Sequence, residues 1–313
     1  MKTLTLVKTN FNHHVSMDLY YEFEKAILGR PHWETIKGVN RSQAFILRQL
    51  LKLIPSIPIP FVKHKNYVVV GYQKEKLFPY FHFKADLKVL WMYDAWEPLF
   101  TDIENTIKTY RINILFTASK QSAEHFDNLQ IPGFKCYWVP EGIDASQYLF
   151  VPYHERKIDI LQLGRKWDFL HQNILPLEKS FVYKYEKKSG QIIFPTRNDF
   201  LTGLANSKIS ICVPSNITHP NRTGNISTIT NRYLQSMASK CLIVGKAPLD
   251  MPYLFDYNPI VEIDEKNSLE QIQSVLTNFD DYIPLIEKNY EVLIKNHQWI
   301  NRVELMENYI QNH

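Results

Sequence analysis

The chain has 313 residues, which is enough for two domains of roughly 150 residues each. Hydrophobic residues make up 45% and charged residues 22%, so the composition is globular and excludes an intrinsically disordered chain. Thirty-six Lys and Arg against 32 Asp and Glu leave a formal charge of +4, too small a surplus to indicate a nucleic-acid-binding protein. Such a balance suits an enzyme with phosphorylated substrates, or a protein that works beside an anionic membrane.

Cysteine usage and hydropathy further restrict the kind of protein and the compartment in which it is expected. The three cysteines, Cys136, Cys212 and Cys241, form no CxxC pair and are odd in number, so neither a disulfide framework nor a zinc site is indicated. The sequence shows no signal-peptide pattern and no apolar run long enough to span a bilayer. We therefore expect a cytoplasmic protein, and a peripheral contact with the inner face of the membrane stays open.

The first half of the sequence alternates short apolar runs with amphipathic stretches. Strands are predicted at 4–7, 67–70, 89–93, 112–117 and 135–139, and helices at 16–28, 41–54, 103–110 and 119–129, with Ser119 as a helix cap. This β-α alternation predicts a parallel sheet with helices on both faces. The proline-rich stretch at 54–65 is interpreted as a rigid exposed loop, with a peripheral membrane contact as the alternative.

The second half repeats the pattern. Strands are predicted at 157–163, 181–185, 192–194, 209–213, 241–244 and 261–263, and helices at 168–175 (capped by Asp168), 197–205, 229–240, 268–278, 282–295 and 297–311. The fold class is therefore α/β, with two doubly wound, Rossmann-like domains. We place the first at 1–150 and the second at 151–296, with residues 297–313 as a terminal helix.

Three polar side chains of the first domain are candidates for acid–base work. Asp94 directly follows a predicted strand, and His13 and His14 lie in the polar turn after the first strand. Ligands of parallel sheets bind at the carboxyl ends of strands, which is where these side chains stand. Asp94 could equally cap the next helix, and each histidine could be an ordinary exposed loop residue.

Several well-known site motifs are absent from the sequence. It contains no GxxxxGK[ST] motif, no GxGxxG after the first strand, no HExxH and no GxSxG. P-loop NTPases, typical dinucleotide dehydrogenases, zinc proteases with this motif and α/β-hydrolases are therefore not favoured.

Two cationic elements remain in the second domain. The turn Gly164-Arg165-Lys166 ends a predicted strand, and the helix that follows the polar loop begins at Thr230, Asn231 and Arg232. Glycine lets the backbone approach an anion, arginine offers a planar fork and a helix N-terminus adds backbone donors. This set suits a diphosphate leaving group. The alternatives are a solvated turn and a plain packing helix.

Four segments together resemble a known family. They are YWVPEGID at 137–144, DILQLGR at 159–165, NRYLQSMASKCLIVG at 231–245 and NHQWINRVELMENYI at 296–310. In this order they resemble the group 1 glycosyltransferases of the GT-B fold, including the CgeB-like branch. The resemblance implies two Rossmann-like domains with a cleft between them and a terminal helix that packs back on the first.

The same resemblance implies a function. A sugar would pass from a nucleotide-sugar, held by the second domain, to a glycan, lipid-linked or protein acceptor held by the first. No metal or other cofactor would be required. A nucleic acid is not expected as a partner, because the net charge of +4 indicates no basic stripe. Such enzymes contribute to surface polysaccharide biosynthesis. Retention of the anomeric configuration is implied, but no pair of carboxylates in the sequence decides between retention and inversion.

Residue roles follow by position from the resemblance. Arg165 and Lys166 would hold the diphosphate, and the base would lie near 193–196, beside Phe194 and Thr196. Gln235 stands where the family has a glutamate for the ribose, and Ser227 stands where an earlier glutamate is usual. Glutamine can still bond to a ribose hydroxyl, without charge assistance. The alternative function is a non-catalytic sugar- or partner-binding protein on the same scaffold.

Overall fold

A computed structural model describes residues 3–10, 17–53, 65–71, 77, 80, 85–188 and 192–313, without the side chains of residues 51 and 52. Contacts divide the chain into two units, Met1–Pro140 with Arg302–His313, and Glu141–Asn301. This division differs from the predicted domain boundary at residue 150, since it places residues 141–150 in the second unit. His13, His14 and residues 54–64 lie outside the described part of the chain.

The first unit contains a six-stranded parallel sheet. Its strands are β1 (Leu4–Lys8), β2 (Trp33–Lys37), β3 (Asn66–Val70), β4 (Lys88–Met92), β5 (Ile114–Thr117) and β6 (Lys135–Trp138), and their spatial order is β2-β1-β3-β4-β5-β6. The described helices between them are α1 (Asp18–Ile27), α2 (Arg41–Leu53), α3 (Phe100–Tyr110) and α4 (Lys120–Asp127). Ser119 caps α4 by accepting from the Ser122 amide, as predicted.

The central strands of this sheet are buried on both faces. Leu90 packs with α3 and α4 on one face, whereas Trp91 meets the ring of Phe23 from α1 edge-to-face at 4.4 Å on the other. The apolar runs that predicted these strands are therefore the ones that sit at the centre. The edge strand β2, with sequence WETIK, was missed because its half-exposed surface keeps charged residues.

The second unit contains five parallel strands. They are β7 (Ile158–Gln162), β8 (Tyr183–Tyr185), β9 (Ser207–Cys212), β10 (Leu242–Gly245) and β11 (Val261–Glu262), in the spatial order β11-β10-β9-β7-β8. The helices are α5 (Asp168–Ile174), α6 (Arg197–Ala205), α7 (Ser215–Thr218), α8 (Pro220–Thr223), α9 (Asn231–Ala238), α10 (Ser268–Thr277), α11 (Ile283–Asn296) and α12 (Trp299–Gln311).

Successive residues of these strands enter two different apolar layers. Leu161 and Ile243 pack with α9 on one face, whereas Ile160 and Leu242 pack with α5 and α10 on the other. All four side chains are fully buried. Burial of both faces explains why each strand is a continuous apolar run instead of an alternating one.

Three local predictions for this unit were wrong. Residues 192–194 form no strand, and 193 and 194 form a bend in which Phe194 packs on α6. The polar loop after β9 contains the short helices α7 and α8. Asp168 is the first residue of α5 instead of its cap, since Trp167 occupies the capping position without a side-chain hydrogen bond.

The terminal helix α12 contributes to the first unit from Arg302 onward. Its Glu307 accepts from Arg30 Nε at 3.0 Å and Trp33 Nε1 at 2.7 Å, and it forms a second, shorter bond with Arg30 Nη2. Tyr309 stacks on Tyr137 of β6 with ring centroids 4.2 Å apart. In the described residues, no helix is both long and apolar enough to cross a bilayer.

A buried arginine joins three segments of the second unit. Arg156 Nη1 donates to the carbonyls of Ser207 and Lys240, each at 2.7 Å, and its Nε donates to Val151 O at 2.9 Å. The ring of Tyr153 lies 4.6 Å from the guanidinium carbon. The side chain thereby fixes the start of β9 and the turn after α9.

Replacing Arg156 by methionine is expected to lower the free energy of unfolding by about 3 kcal/mol or more, because several buried carbonyls lose their donor. Urea unfolding measures the change. Lys208→Met is the control, since that lysine forms a partly exposed ion pair with Asp159 at 2.8 Å, and its loss is expected to cost less than about 1 kcal/mol. Equal effects of the two substitutions would contradict an anchoring role for Arg156.

Candidate functional site

The strand order of the second unit creates a crevice at one point of the sheet. β7 and β9 are neighbours, but the chain continues from β7 to β8 on one side and from β9 to β10 on the other. Loops that diverge in this way leave room beyond the carboxyl ends of the two strands, which is where doubly wound sheets bind ligands. A cavity of about 860 Å³ lies here, lined by Gly164, Arg165, Lys166, Asp168, Glu186, Lys188, Ser215, Thr218, His219 and Arg232.

The two cationic elements predicted from the sequence meet in this cavity. Gly164 follows β7 with φ of +66°, a left-handed conformation that favours glycine. A Cβ atom placed on Gly164 would lie 3.1 Å from Nη2 of Arg232, in the first turn of α9. The guanidinium of Arg232 therefore lies directly over the turn that carries Arg165 and Lys166.

The cavity wall carries more positive than negative charge. Among the described lining residues, Arg165, Lys166, Lys188 and Arg232 are cationic and Asp168 and Glu186 are carboxylates, so their summed charge is 4 − 2 = +2 with His219 neutral. Arginine forks and lysine ammonium groups bind phosphate oxygens well. The wall is thus chemically suited to a group with two or more negative charges.

Lys166 is held in place by the end of β8. Its Nζ donates to the carbonyl of Glu186 at 2.9 Å and lies 5.0 Å from the centre of the Tyr185 ring. These contacts leave the ammonium charge in place while they fix its position. The turn after β7 and the turn after β8 are therefore joined at the cavity wall.

A buried hydrogen-bond chain supports the same two strands. The Tyr183 hydroxyl donates to Gln162 Oε1 at 2.5 Å and lies 2.8 Å from His171 Nδ1. Because its proton is committed to Gln162, the hydroxyl accepts from the imidazole. Burial, and secondarily the charge of Lys166, lowers the pKa of His171. The lowered pKa favours the neutral imidazole, which donates its Nδ1 proton to the Tyr183 hydroxyl.

His219 is a cavity residue that the sequence analysis did not single out. Burial lowers its pKa, and the charges of Arg165, Arg222 and Arg232 lower it further. Its Nδ1 is buried and has no hydrogen-bond partner within the described chain. A lone histidine in a polar loop is a weak signal. Its position shortly after β9, at the point where the strand order reverses, is the signal that could have found it.

The first turn of α9 contains the other predicted donor-side residues. Thr230 is the residue before the helix, with extended backbone at φ −117° and ψ 163°, and its side chain forms no capping bond. Asn231 Oδ1 is buried without a hydrogen-bond partner in the described residues. Gln235 lies one turn further along and is half-buried.

The loop before α9 is fastened by a buried carboxylate. Asp250, after β10, accepts from the Thr228 hydroxyl at 2.5 Å and from the Ile229 amide at 2.8 Å. Ser227 Oγ accepts from the Leu249 amide at 3.2 Å. Ser227, at the position of the family's earlier glutamate, is therefore used to hold this loop.

Phe194 and Thr196 do not line the cavity around Gly164. The Phe194 ring is buried against the Cα of Gly203, where any Cβ would collide with it, and Lys184 Nζ lies 4.6 Å from the ring centre. Thr196 caps α6, accepting from the Asp199 amide at 3.1 Å and donating to its carboxylate at 2.7 Å. Both residues thus have local packing roles, and their contact with a base stays a prediction.

The candidates of the first unit are described only in part. Asp94 is exposed two residues beyond β4, and His13 and His14 lie outside the described residues. Their acid–base roles stay predictions. Within the residues that the structure describes, no cluster of three or more His, Cys, Asp or Glu side chains could hold a metal ion.

Because the carboxyl group of Asp250 is buried, we expect the free energy of unfolding of the protein to depend on pH. Burial raises its pKa to about 6, although the bonds from Thr228 and Ile229 lower it. A raised folded-state pKa gives stability that is complete below the unfolded pKa of about 4 and is lost as the pH rises through about 6. As the pH rises from 4 to 7, the free energy of unfolding of Asp250→Asn is therefore expected to increase relative to that of the wild type by on the order of 2 kcal/mol.

Thermal unfolding of both proteins across this pH range measures the difference. Asparagine Oδ1 can keep the bond from Ile229, and the Thr228 hydroxyl can turn to accept from the new amide. The substitution therefore removes the titration while it keeps two hydrogen bonds. A constant stability difference from pH 4 to pH 7 would show that Asp250 does not titrate in this range.

No protein-family model and no curated protein sequence matches the chain. Solved structures do match it in fold. HepE from Anabaena, in complex with UDP and glucose, is 11% identical over 100% of both chains, with a TM-score of 0.59. The N-terminal domain of trehalose-6-phosphate phosphatase from Candida albicans is 9% identical over 99% of this chain and 97% of its own, with a TM-score of 0.60.

Sucrose-phosphate synthase from Thermosynechococcus elongatus is 10% identical over 99% of both chains, with a TM-score of 0.57. At such identities the likeness shows the fold alone. Two parallel α/β sheets and these full-length matches confirm the fold class predicted from the sequence. The chain has the GT-B fold.

Proposed function

We propose that the chain is a glycosyltransferase that takes its sugar from a nucleotide-sugar. The observation that carries the proposal is the position of Arg232 over Gly164, which adds the guanidinium of α9 to the Arg165-Lys166 turn in one cavity. The cavity lies where doubly wound sheets bind nucleotides. The structures of HepE with UDP and with UDP-glucose, on the same fold, support this choice of ligand class.

The proposed chemistry depends on stabilising a leaving group. The bond between the anomeric carbon and the outer phosphate oxygen breaks, and its electron pair stays on the nucleoside diphosphate. Arg165, Lys166 and Arg232, which line the cavity, would bind the charge that develops there, and the amides at the start of α9 would add further donors. Fixed cations reduce the barrier because they need no reorganisation during the reaction.

The remaining features of the reaction are proposed from the resemblance. Gln235 would bond to the nucleotide ribose, and the acceptor, a glycan, lipid-linked or protein group, would be bound by the first unit, with Asp94 or a histidine at 13 or 14 in acid–base work. The transfer would need no metal, because the cations of the cavity can take the place of one. Retention of configuration is proposed for the sugar.

A second function is favoured by one specific observation. Ser227, where the family has a glutamate, is buried and bonded to the Leu249 amide, and Gln235 lacks the charge of the usual second glutamate. A protein that binds a nucleotide-sugar or glycan without turnover would need neither carboxylate. The two functions share the ligand and differ in whether a bond is broken.

Binding of uridine, guanosine and adenosine diphosphates tests the shared part. At least one is expected to raise the thermal unfolding temperature, since a ligand at 100 times its Kd stabilises by about 2.7 kcal/mol. Arg232→Ala and Arg165→Ala are each expected to lower the affinity for that ligand by roughly tenfold to a hundredfold, which is the contribution of a charged hydrogen bond. Lys266→Ala, an exposed cation of the same unit outside the cavity, is the control.

Two results would contradict a nucleotide site in the cavity. One is that no nucleoside diphosphate binds, and the other is that the Lys266 variant loses as much affinity as the arginine variants. Calorimetric titration gives the affinities, and circular dichroism verifies that each variant folds.

Turnover separates the two functions. The nucleotide-sugars of the diphosphate that binds best are incubated with the protein, with and without glycan acceptors, and release of the free diphosphate is followed. A glycosyltransferase is expected to release it at a rate that falls at least tenfold in Arg232→Ala at saturating donor, as expected for lost transition-state charge stabilisation. If the nucleotide-sugar binds tightly but no free diphosphate is released with any acceptor tried, the second function, a binding protein without turnover, would be favoured.

A further inference from the structure

The outer face of α2 exposes a set of large apolar side chains. Ile46, Leu50 and Leu53, three or four residues apart, share one face of the helix and are 57%, 47% and 80% exposed. Phe45, on the adjacent strip, is 64% exposed. The inner side is fixed by Ala44, which is 3% exposed. Four exposed large apolar residues on one short helix indicate an interaction surface.

The charged residues of α2 itself are all basic. Arg41 and Arg48 lie beside Phe45 on the exposed strip, and α2 contains no acidic residue. The surrounding sequence extends the pattern. Between residues 35 and 74 there is no Asp or Glu, whereas seven Lys and Arg occur, at 37, 41, 48, 52, 63, 65 and 74. In a chain with a net charge of only +4, this stretch concentrates positive charge.

Apolar and cationic groups on one helix face select among surfaces. A second copy of the chain, related by a two-fold axis, would present the same helix face, which has no acidic residue to pair with Arg41 and Arg48. A nucleic acid would satisfy the arginines but would gain little from Ile46, Leu50 and Leu53. An anionic lipid surface satisfies both, because phosphates meet the cations and the acyl boundary accepts the apolar side chains.

We propose that the exposed face of α2, formed by Phe45, Ile46, Leu50 and Leu53 with Arg41 and Arg48, docks on an anionic lipid bilayer. The helix lies in the plane of the headgroups and does not cross the membrane. This docking does not depend on which reaction the second unit catalyses. It would hold the first unit at a surface where lipid-linked acceptors are found.

Flotation of the full chain with lipid vesicles tests the docking. The protein is expected to float with vesicles of phosphatidylcholine mixed with phosphatidylglycerol at least tenfold more strongly than with phosphatidylcholine alone. Added salt is expected to weaken this binding, since it screens the cations. The double variant Leu50→Ser/Leu53→Ser is expected to bind the anionic vesicles about tenfold less or weaker still, because apolar area no longer enters the bilayer.

The matched control is Leu149→Ser/Val182→Ser, which changes two side chains of the second unit that are 55% and 53% exposed. It is expected to bind vesicles as the wild type does. Because all four leucine and valine side chains are largely exposed, both variants are expected to unfold at nearly the wild-type temperature. A nucleotide titration of each variant keeps this outcome separate from the donor site.

Three results would overturn the docking. One is equal binding of the wild type to neutral and anionic vesicles, or binding to neither. Another is unchanged flotation of Leu50→Ser/Leu53→Ser. The third is a concentration-dependent dimer in sedimentation velocity that this double variant dissolves, which would make α2 an interface between copies of the chain.

Discussion

The candidate site depends on one constraint, the adjacency of β7 and β9 in a parallel sheet whose order reverses between them. The chain must leave these strands in opposite directions, so no crossover helix can fill the space above their carboxyl ends. Gly164 then lets the chain after β7 turn sharply, with φ of +66°, beneath the start of α9. Each feature of the cavity wall follows from this opening and from the residues that border it.

The cavity wall gathers several positive charges, and contacts of the neighbouring segments fix their positions. Arg165, Arg222 and Arg232 all act on His219, whose pKa is lowered by burial and then by these cations. The segments that carry the charges are fixed by uncharged or buried contacts, including the Lys166 bond to Glu186 O and the Asp250 bonds to Thr228 and Ile229.

The sequence predicted the elements of the second unit better than the contacts among them. β7, β9 and β10 are continuous apolar runs because both faces of the sheet are covered, and such runs are recognisable without a structure. The Gly164 turn and Arg232 could each be identified by residue type. Their contact could not be derived from residue pattern, since it depends on the strand order, which joins parts of the chain that are distant in sequence. The expectation that they face one cleft came from their places beside strand ends of the same predicted sheet.

Other parts of the structure left little signal in the sequence. β2 is an edge strand whose charged residues hide its apolar period, and Arg156, directly before a predicted strand, gave no sign that it would be buried among four carbonyls. His219 stands alone in a polar loop. Phe194 was placed near a base because of a family position, whereas its packing is set by Gly203, which has no side chain to exclude the ring.

The two ends of the described chain close the same unit. Arg30 and Trp33 hold Glu307 of α12, although the whole of the second unit lies between them in sequence. On the ribosome, the second unit therefore emerges complete while the first still lacks the helix segment from Arg302 onward. The first unit to be synthesised is thus the last to be completed, and until then Arg30 and Trp33 lack the Glu307 carboxylate that they bind in the folded chain.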